Sequence, residues 1–360
     1  MINYIDLLVR VISYNLYKKF EFPKFLPMFL TLSVNDWCNS KCKTCNIWKN
    51  DSEEKIKEQL TPQEYEKIFK NFSRIYWITI TGGEPFLRED LVQIIQIIYK
   101  KTKPEFITIG TNGILTERIV SQTREILNKC KNLKLIINIS LDGIGKQHDE
   151  IRGVRNNFNL AIKTFRELKN LNNPRLIVGV NTVISKFNVK NFPEIYDYIK
   201  THLKPDSYIC EVAENRAKLY NMKLKITPRT NEYKKALLFL INSFENESKE
   251  KKILEIVGIL RIAFYKYLMN QYSLNNYEGI ASAYIMHNGD VWVSYTKPYV
   301  IGNLRNVNYS FRKLWFSKKA ENFRKMMDEG YRTMLANAFY TNILCNPSKF
   351  LRMWLISKFK

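Results

Sequence analysis

The chain has 360 residues, 45% hydrophobic and 13% aromatic, and its 57 Lys+Arg against 34 Asp+Glu give a net charge of +23. That length suits one large domain plus a smaller one, and the apolar content suits a packed core rather than a disordered chain. No run reaches about 18 apolar residues, the start lacks a signal-peptide pattern, and the six cysteines have no repeating spacing, so neither a spanning helix, nor secretion, nor a disulfide framework is expected. The expected location is the cytoplasm. The positive field draws anions, whether nucleic acid, anionic lipid or phosphorylated substrate, without choosing among them. An Asn/Lys/Ile-rich composition as a genome-wide habit is the alternative explanation.

Residues 1–27 carry Ile5, Leu8, Ile12, Leu16 and Phe20 at helical spacing, with Arg10, Lys18, Lys19 and Lys24 near the other positions. The pattern predicts a basic amphipathic N-terminal helix, which either lies on a membrane interface or packs on the main domain. From residue 28 a strand–helix rhythm begins. Short apolar runs start near residues 28, 75, 106, 133, 175 and 207, and helical patterns cover 62–73, 90–102, 117–131, 158–171 and 189–202. Thr61, Pro62 and Glu64 form a capping box with proline at the first helical position. Such alternation implies right-handed βαβ units and a parallel sheet. Six units are too few for an ordinary closed eight-fold barrel, so the expected fold class is α/β: a partial (β/α)6 TIM-like barrel over 28–217. Residues 218–275 read as a Lys-rich helical linker. Residues 276–360 read as an α+β C-terminal extension in which SAYIMHNGDVWVSY predicts a hairpin around a two-residue Asn288-Gly289 turn. Helical segments follow, ending in the basic, apolar tail NPSKFLRMWLISKFK.

Cys38, Cys42 and Cys45 follow the first predicted strand with spacing C-x3-C-x2-C. Structural zinc normally takes four ligands, and His148, His202 and His287 are far away in sequence. A [4Fe-4S] cluster held by three thiolates keeps one iron without a protein ligand, open to a substrate or cofactor.

The stretch CNSKCKTCNIW resembles the cluster loop of the radical S-adenosylmethionine (radical SAM) superfamily. The resemblance spans about 28–217 and implies one [4Fe-4S] cluster, with S-adenosyl-L-methionine (SAM) chelated to the open iron and cleaved reductively to start hydrogen abstraction. TGGEP at 81–85 is similar to that superfamily's motif for the SAM amino group: Gly82 and Gly83 would let backbone approach the ligand, and Glu84 would offer a carboxylate. GTNG at 110–113 ends the third strand. ISLDG at 139–143 resembles the strand end that contacts the ribose, with Ser140 and Asp142 as hydroxyl partners, and in HDEIRG Arg152 would face the SAM carboxylate. Asn181 is a polar side chain in a strand and needs a reason to be there. Arg216 stands where relatives often carry an arginine near the adenine. All these residues fall at carboxyl ends of strands, the expected active-site rim.

The C-terminal part is similar to the SPASM extension of many radical SAM enzymes, in the order hairpin, IGNL (301–304), then FRKLWFS (311–317). Ser294 stands where a cysteine usually ends the hairpin, and outside the loop only Cys130, Cys210 and Cys345 remain. An auxiliary cluster is therefore not expected; the extension would close the barrel mouth and shape a pocket. The expected activity is hydrogen abstraction from an unidentified substrate, a membrane-associated lipid or glycan precursor in the leading reading. A ribosomally made peptide is the alternative, although about 29 residues ahead of the barrel are too few for a separate leader-binding domain. A non-catalytic metal-binding module at the membrane surface is a reading of another class. Flavodoxin or ferredoxin is the expected electron donor, peripheral membrane contact is an open expectation, and RNA ranks last because no RNA-binding module is visible.

Overall fold

The computed structural model describes residues 4–50, 53–250, 256–269, 273–294, 299–327 and 336–358. All six expected strands form: β1 (Phe29–Ser33), β2 (Trp77–Thr81), β3 (Phe106–Thr111), β4 (Lys134–Ser140), β5 (Leu176–Ile184) and β6 (Ser207–Val212). Each pairs in parallel with the next. Between them run α1 (Tyr4–Phe20) before the sheet, α2 (Glu53–Lys57), α3 (Pro62–Phe69), α4 (Leu91–Thr102), α5 (Thr116–Lys129), α6 (Lys146–Arg152), α7 (Asn157–Asn170) and α8 (Phe192–Tyr198). The capping box is present on both sides: Glu64 N–H donates to Thr61 Oγ1 at 3.3 Å, and Thr61 N–H to Glu64 Oε2 at 2.8 Å.

The two sheet faces differ. Leu30, Leu32, Ile78, Ile80, Ile107, Ile109, Leu135, Ile137, Val178 and Val180 are buried among the helices. The alternate positions carry Phe29, Trp77, Phe106 and Ile136 toward the strand starts and Thr31, Thr79, Thr108, Asn138, Ser140 and Asn181 beyond them, so the opposite face turns polar toward the carboxyl ends. That is the concave lumen of an open barrel.

The extension joins the same sheet instead of standing apart. β7 (Ser282–Ile285) pairs in parallel with β1, β8 (Asp290–Trp292) pairs antiparallel with β7, and β9 (Val300–Asn303) with β8, giving nine strands in the order β6-β5-β4-β3-β2-β1-β7-β8-β9. The hairpin loop has three residues, 287–289, where the sequence predicted a two-residue turn. Met286 N–H donates to Asp290 O at 2.8 Å, and Gly289, at φ +90°, donates to Met286 O at 2.9 Å. This is a type I turn closed by a glycine bulge.

The linker region holds α9 (Thr230–Glu250) and α10 (Ile256–Leu268), and after β9 come α11 (Phe311–Trp315), α12 (Lys318–Met327), α13 (Ala336–Leu344) and α14 (Pro347–Lys358). One hydrophobic cluster runs from the barrel through Leu237, Phe244, Phe264, Trp315 and Phe339, so linker and extension share the barrel's core. α13 crosses the lumen: Asn337 Nδ2 donates to Thr79 Oγ1 at 3.2 Å and Ala336 N–H to Glu211 Oε1 at 3.2 Å. Among the described residues no helix is long and apolar enough to cross a membrane. Side chains of the tail beyond residue 352 lie outside the described residues.

Candidate cofactor site

The cysteine loop begins where β1 ends and is gripped from three directions. On one side lies the TGGEP turn. Asn35 ties to it twice, accepting from Gly83 N–H at 2.9 Å and donating to Glu84 O at 2.7 Å, while Glu84 N–H donates to Trp37 O at 3.0 Å. A Cβ on Gly82 would sit 2.4 Å from Asn35 O, and one on Gly83 would sit 1.8 Å from Trp37 O. Close approach of the protein's own loop by itself requires glycine at both positions. On the second side, Lys41 N–H and Lys43 N–H donate to the carbonyls of Arg152 and Ile151 at 3.0 and 2.8 Å.

On the third side, the segment after β6 bonds back to the loop. Asn46 N–H donates to Leu219 O at 2.9 Å, Asn221 Nδ2 to Thr44 O at 2.8 Å, and Tyr220 Oη to Asp36 Oδ2 at 2.6 Å. Lys218 and Asp36 form an ion pair there, both almost fully buried.

The three thiols are half-buried and unpaired with one another. Each sulfur is met by an N–H donor. Ser40 N–H lies 3.4 Å and Asn112 Nδ2 3.8 Å from Cys38, Ile47 N–H 3.5 Å from Cys45, and Arg152 Nη1 3.7 Å from Cys42. Burial pushes all three thiols up, and since a metal binds the thiolate, loading this loop is coupled to proton release. Among the described residues no set of three His, Cys, Asp or Glu side chains converges as ligands of a single metal ion would. An iron–sulfur cluster instead takes one thiolate at each iron, and N–H donors to its sulfurs are the usual means of tuning it. The donor set fits such a cluster with three protein ligands.

The remaining predicted residues gather at the carboxyl ends of β2, β4 and β5, with roles that differ in part from the expectation. Glu84 is buried, and its carboxylate accepts from Thr111 Oγ1 at 2.9 Å, Asn112 N–H at 2.7 Å and Phe86 N–H at 3.2 Å. Desolvation raises it to about 7 against the pull of those donors. It braces the ends of β2 and β3 against each other and positions Asn112 beside Cys38. Asp142 is likewise engaged, accepting from Val183 N–H at 2.8 Å and lying 2.9 Å from Arg152 Nε. It therefore orients Arg152. Arg152 faces Asp142 and the Cys42 sulfur.

Ser140 and Asn181 are directly paired across β4 and β5, and among the described residues the buried Oδ1 of Asn181 meets no donor, as an atom reserved for a ligand would. Arg216 is set apart after β6, with Nε 3.1 Å from Glu214 Oε2 and its N–H on Asn221. Sequence reasoning missed Asn35, Asp36, Asn112, Lys218 and Asn221. Only Asn112 carried a signal, inside the GTNG strand end.

Residues 32–199 match the family model described as the radical SAM superfamily. The chain is 30% identical over 171 residues to the Fe-coproporphyrin III synthase of Methanosarcina barkeri, covering 47% of this chain and 40% of that one. It is 26% identical over 230 residues to a probable GTP 3′,8-cyclase of Methanocaldococcus jannaschii, covering 63% and 72%. The chain thus spans less than half the length of the first relative.

Among solved structures it resembles anSMEcpe with bound AdoMet (TM-score 0.60, 16% identity, 92% of this chain and 100% of that one). It also resembles Streptococcus suis SuiB bound to S-adenosylmethionine (TM-score 0.61, 16% identity, 92% and 77%). At that identity the likeness is one of fold. With the cysteine loop on the first strand of a parallel partial barrel and the family model over the same residues, residues 32–199 carry a radical SAM domain, and enzymes of that superfamily use a [4Fe-4S] cluster and SAM.

Proposed function

We propose that this chain holds one [4Fe-4S] cluster through Cys38, Cys42 and Cys45 and SAM along the ends of β2, β4 and β5, and that it abstracts hydrogen from an unactivated carbon. The observation that carries this reading is the loop itself: three thiols, each with an N–H donor at its sulfur, while Cys130, Cys210 and Cys345 are buried in other elements. When bound, the pair supplies one-electron reductive cleavage of the SAM sulfonium and with it hydrogen abstraction. A flavodoxin or ferredoxin would provide the electron.

The chain's own residues orient and shield. Arg152, fixed by Asp142, presents positive charge beside Cys42, where it suits both a cluster carrying negative charge and a ligand carboxylate. Gly82, Gly83 and Glu84 shape the turn that would meet the SAM amino group. Ser140 and Asn181 offer paired polar atoms to hydroxyl groups. Arg216, held by Glu214 after β6, would approach the adenine from the far side. The extension, whose single cysteine, Cys345, is too few for a second cluster, would serve to close the lumen, where Asn337 of α13 meets Thr79.

For the substrate, we favour an amphiphile at a membrane surface, a lipid or a lipid-linked glycan precursor, which the outward apolar face of α1 supports. A peptide is the second reading. It is favoured by the likeness of fold, through the extension, to SuiB bound to its precursor peptide and to anSMEcpe with a bound peptide.

The test is anaerobic reconstitution with iron and sulfide, reduction, addition of SAM, and quantification of 5′-deoxyadenosine in wild type and Cys42→Ala. Turnover in the first and none in the second supports the proposal. A loaded cluster without turnover, even when candidate lipids and peptides are added, would return the chain to the non-catalytic metal-module reading. Failure to load any cluster beside a control enzyme that loads would refute the central claim.

A further inference from the structure

α1 is pinned to the protein by one face and turns an apolar face outward. Inward, Val11, Tyr14 and Tyr17 pack with Met28, Tyr277, Ile280 and Cys345. Polar contacts fix the rotation of the helix. Tyr14 Oη donates to Leu26 O at 2.6 Å, Tyr277 Oη to Asn15 Oδ1 at 2.6 Å, Tyr76 Oη to Asp6 Oδ2 at 2.6 Å, and Arg324 Nη1 to Tyr17 Oη at 3.1 Å. Outward, exposure runs from 41% at Leu16 to 77% at Ile5, with Leu8, Val9, Ile12 and Phe20 between, and Phe22 follows at 72%.

At 3.6 residues per turn those six helical positions fall within an arc of about 120°, a stripe about 23 Å long. An isolated exposed leucine means nothing, but a continuous stripe on a helix that cannot roll over marks an interaction surface. Its rim is basic. Lys19 and Arg312 are exposed, and Lys24 and Lys325 flank the end of the helix, meeting Glu321 at 3.7 Å and Glu21 at 3.2 Å, the carboxylates at that end. Met326 beside them on α12 is also exposed. α14 starts next to the same helix, since Asn15 Nδ2 donates to Cys345 O at 3.1 Å, and it exposes Leu351 and Arg352.

We propose that the outward face of α1, from Ile5 to Phe20, together with Phe22 just beyond it, docks in the interface of an anionic lipid bilayer. A bilayer fits a straight, projecting apolar ridge with a cationic border: the side chains enter the acyl boundary while Lys19, Lys24 and Lys325 reach lipid phosphates. The chain's net charge of +23 adds long-range attraction to the same surface. This deepens the membrane-substrate reading and rests on it for its biological sense, but its test reads lipid binding alone and is independent of whether SAM is cleaved.

Full-length protein is floated on a density gradient with vesicles of phosphatidylcholine alone, or with about one-third phosphatidylglycerol. The wild type is expected to float with the anionic vesicles, and the bound fraction should fall at high salt. Leu8→Glu/Ile12→Glu, at exposed positions that leave the fold intact by circular dichroism, should lose binding by about tenfold or more, and Lys19→Glu/Lys325→Glu should weaken it on anionic vesicles only. A wild type that stays at the bottom with both vesicle types overturns the proposal. So does a Leu8→Glu/Ile12→Glu variant that floats like the wild type. Concentration-dependent dimerisation abolished by that same variant, without flotation, would assign the face to a second copy and also overturn it.

Discussion

Substituting Gly83 by alanine isolates the role of the TGGEP turn. The added Cβ would lie 1.8 Å from Trp37 O and 2.3 Å from Trp37 C, both backbone atoms, so the turn and the cysteine loop must separate. Three hydrogen bonds join them: Gly83 N–H to Asn35, Asn35 to Glu84 O, and Glu84 N–H to Trp37 O. At about 1 kcal/mol each, their loss costs roughly 3 kcal/mol. Gly110 is the control, because a Cβ there meets nothing within 4 Å, and Gly110→Ala should stay within about 0.5 kcal/mol. Stability is read from urea unfolding of the apoprotein, and iron per chain after anaerobic reconstitution reports on the loop. Gly83→Ala should lose both stability and iron. If it unfolds at the wild-type midpoint and loads iron fully, the argument that these glycines serve the loop is refuted.

Lys218→Met strands Asp36 in the interior with, among the described residues, Tyr220 and Asn50 as its remaining side-chain partners, and should cost about 3–5 kcal/mol. Adding Asp36→Asn should recover part of that in the same unfolding assay, and no recovery would mean that packing rather than charge dominates. His148 is held down at about 3, by burial first and the Arg152 charge second, against an ordinary 6.5. The unfolded chain therefore takes up this proton as pH falls below 6.5 while the folded chain does not. Stability should drop from pH 6.5 toward pH 3 by up to about 1.4 kcal/mol per unit from this group. His148→Gln, which still offers Asp142 N–H an acceptor, should flatten that part of the profile measured by urea midpoints; an unchanged slope would assign the pH dependence elsewhere.

Much of the fold was legible because it is written in local pattern. The six apolar runs became six parallel strands, and the capping box closed as read, since both depend on neighbours in sequence. The cysteine loop was equally legible: thiol spacing is a local property and few chemistries use three. What local pattern could not carry was the identity of each motif's partner. Glu84 and Asp142 look like ligand groups in a string of letters, yet their oxygens are taken by Asn112, Thr111, Val183 and Arg152 from other strands and helices.

The hairpin differed for a related reason. Asn288-Gly289 signals a turn, but the register that Met286 and Asp290 adopt decides between two residues and three. The amphipathic character of α1 was plain from periodicity, while which apolar side faces the protein was not. Val11, Tyr14 and Tyr17 take the inside because aromatic hydroxyls reach Leu26 and Arg324, and Ile5, Leu8 and Ile12 are left outward. The sequence by itself determined the elements, their order and the chemistry of the loop, because those rest on short-range spacing and side-chain type. Tertiary structure alone decided that Asp36 meets Lys218, separated by 182 residues, and that the extension's hairpin extends the barrel sheet from β1. Such pairings follow from which edges and charges remain unsatisfied after the local elements have formed, and that is a property of the assembled molecule.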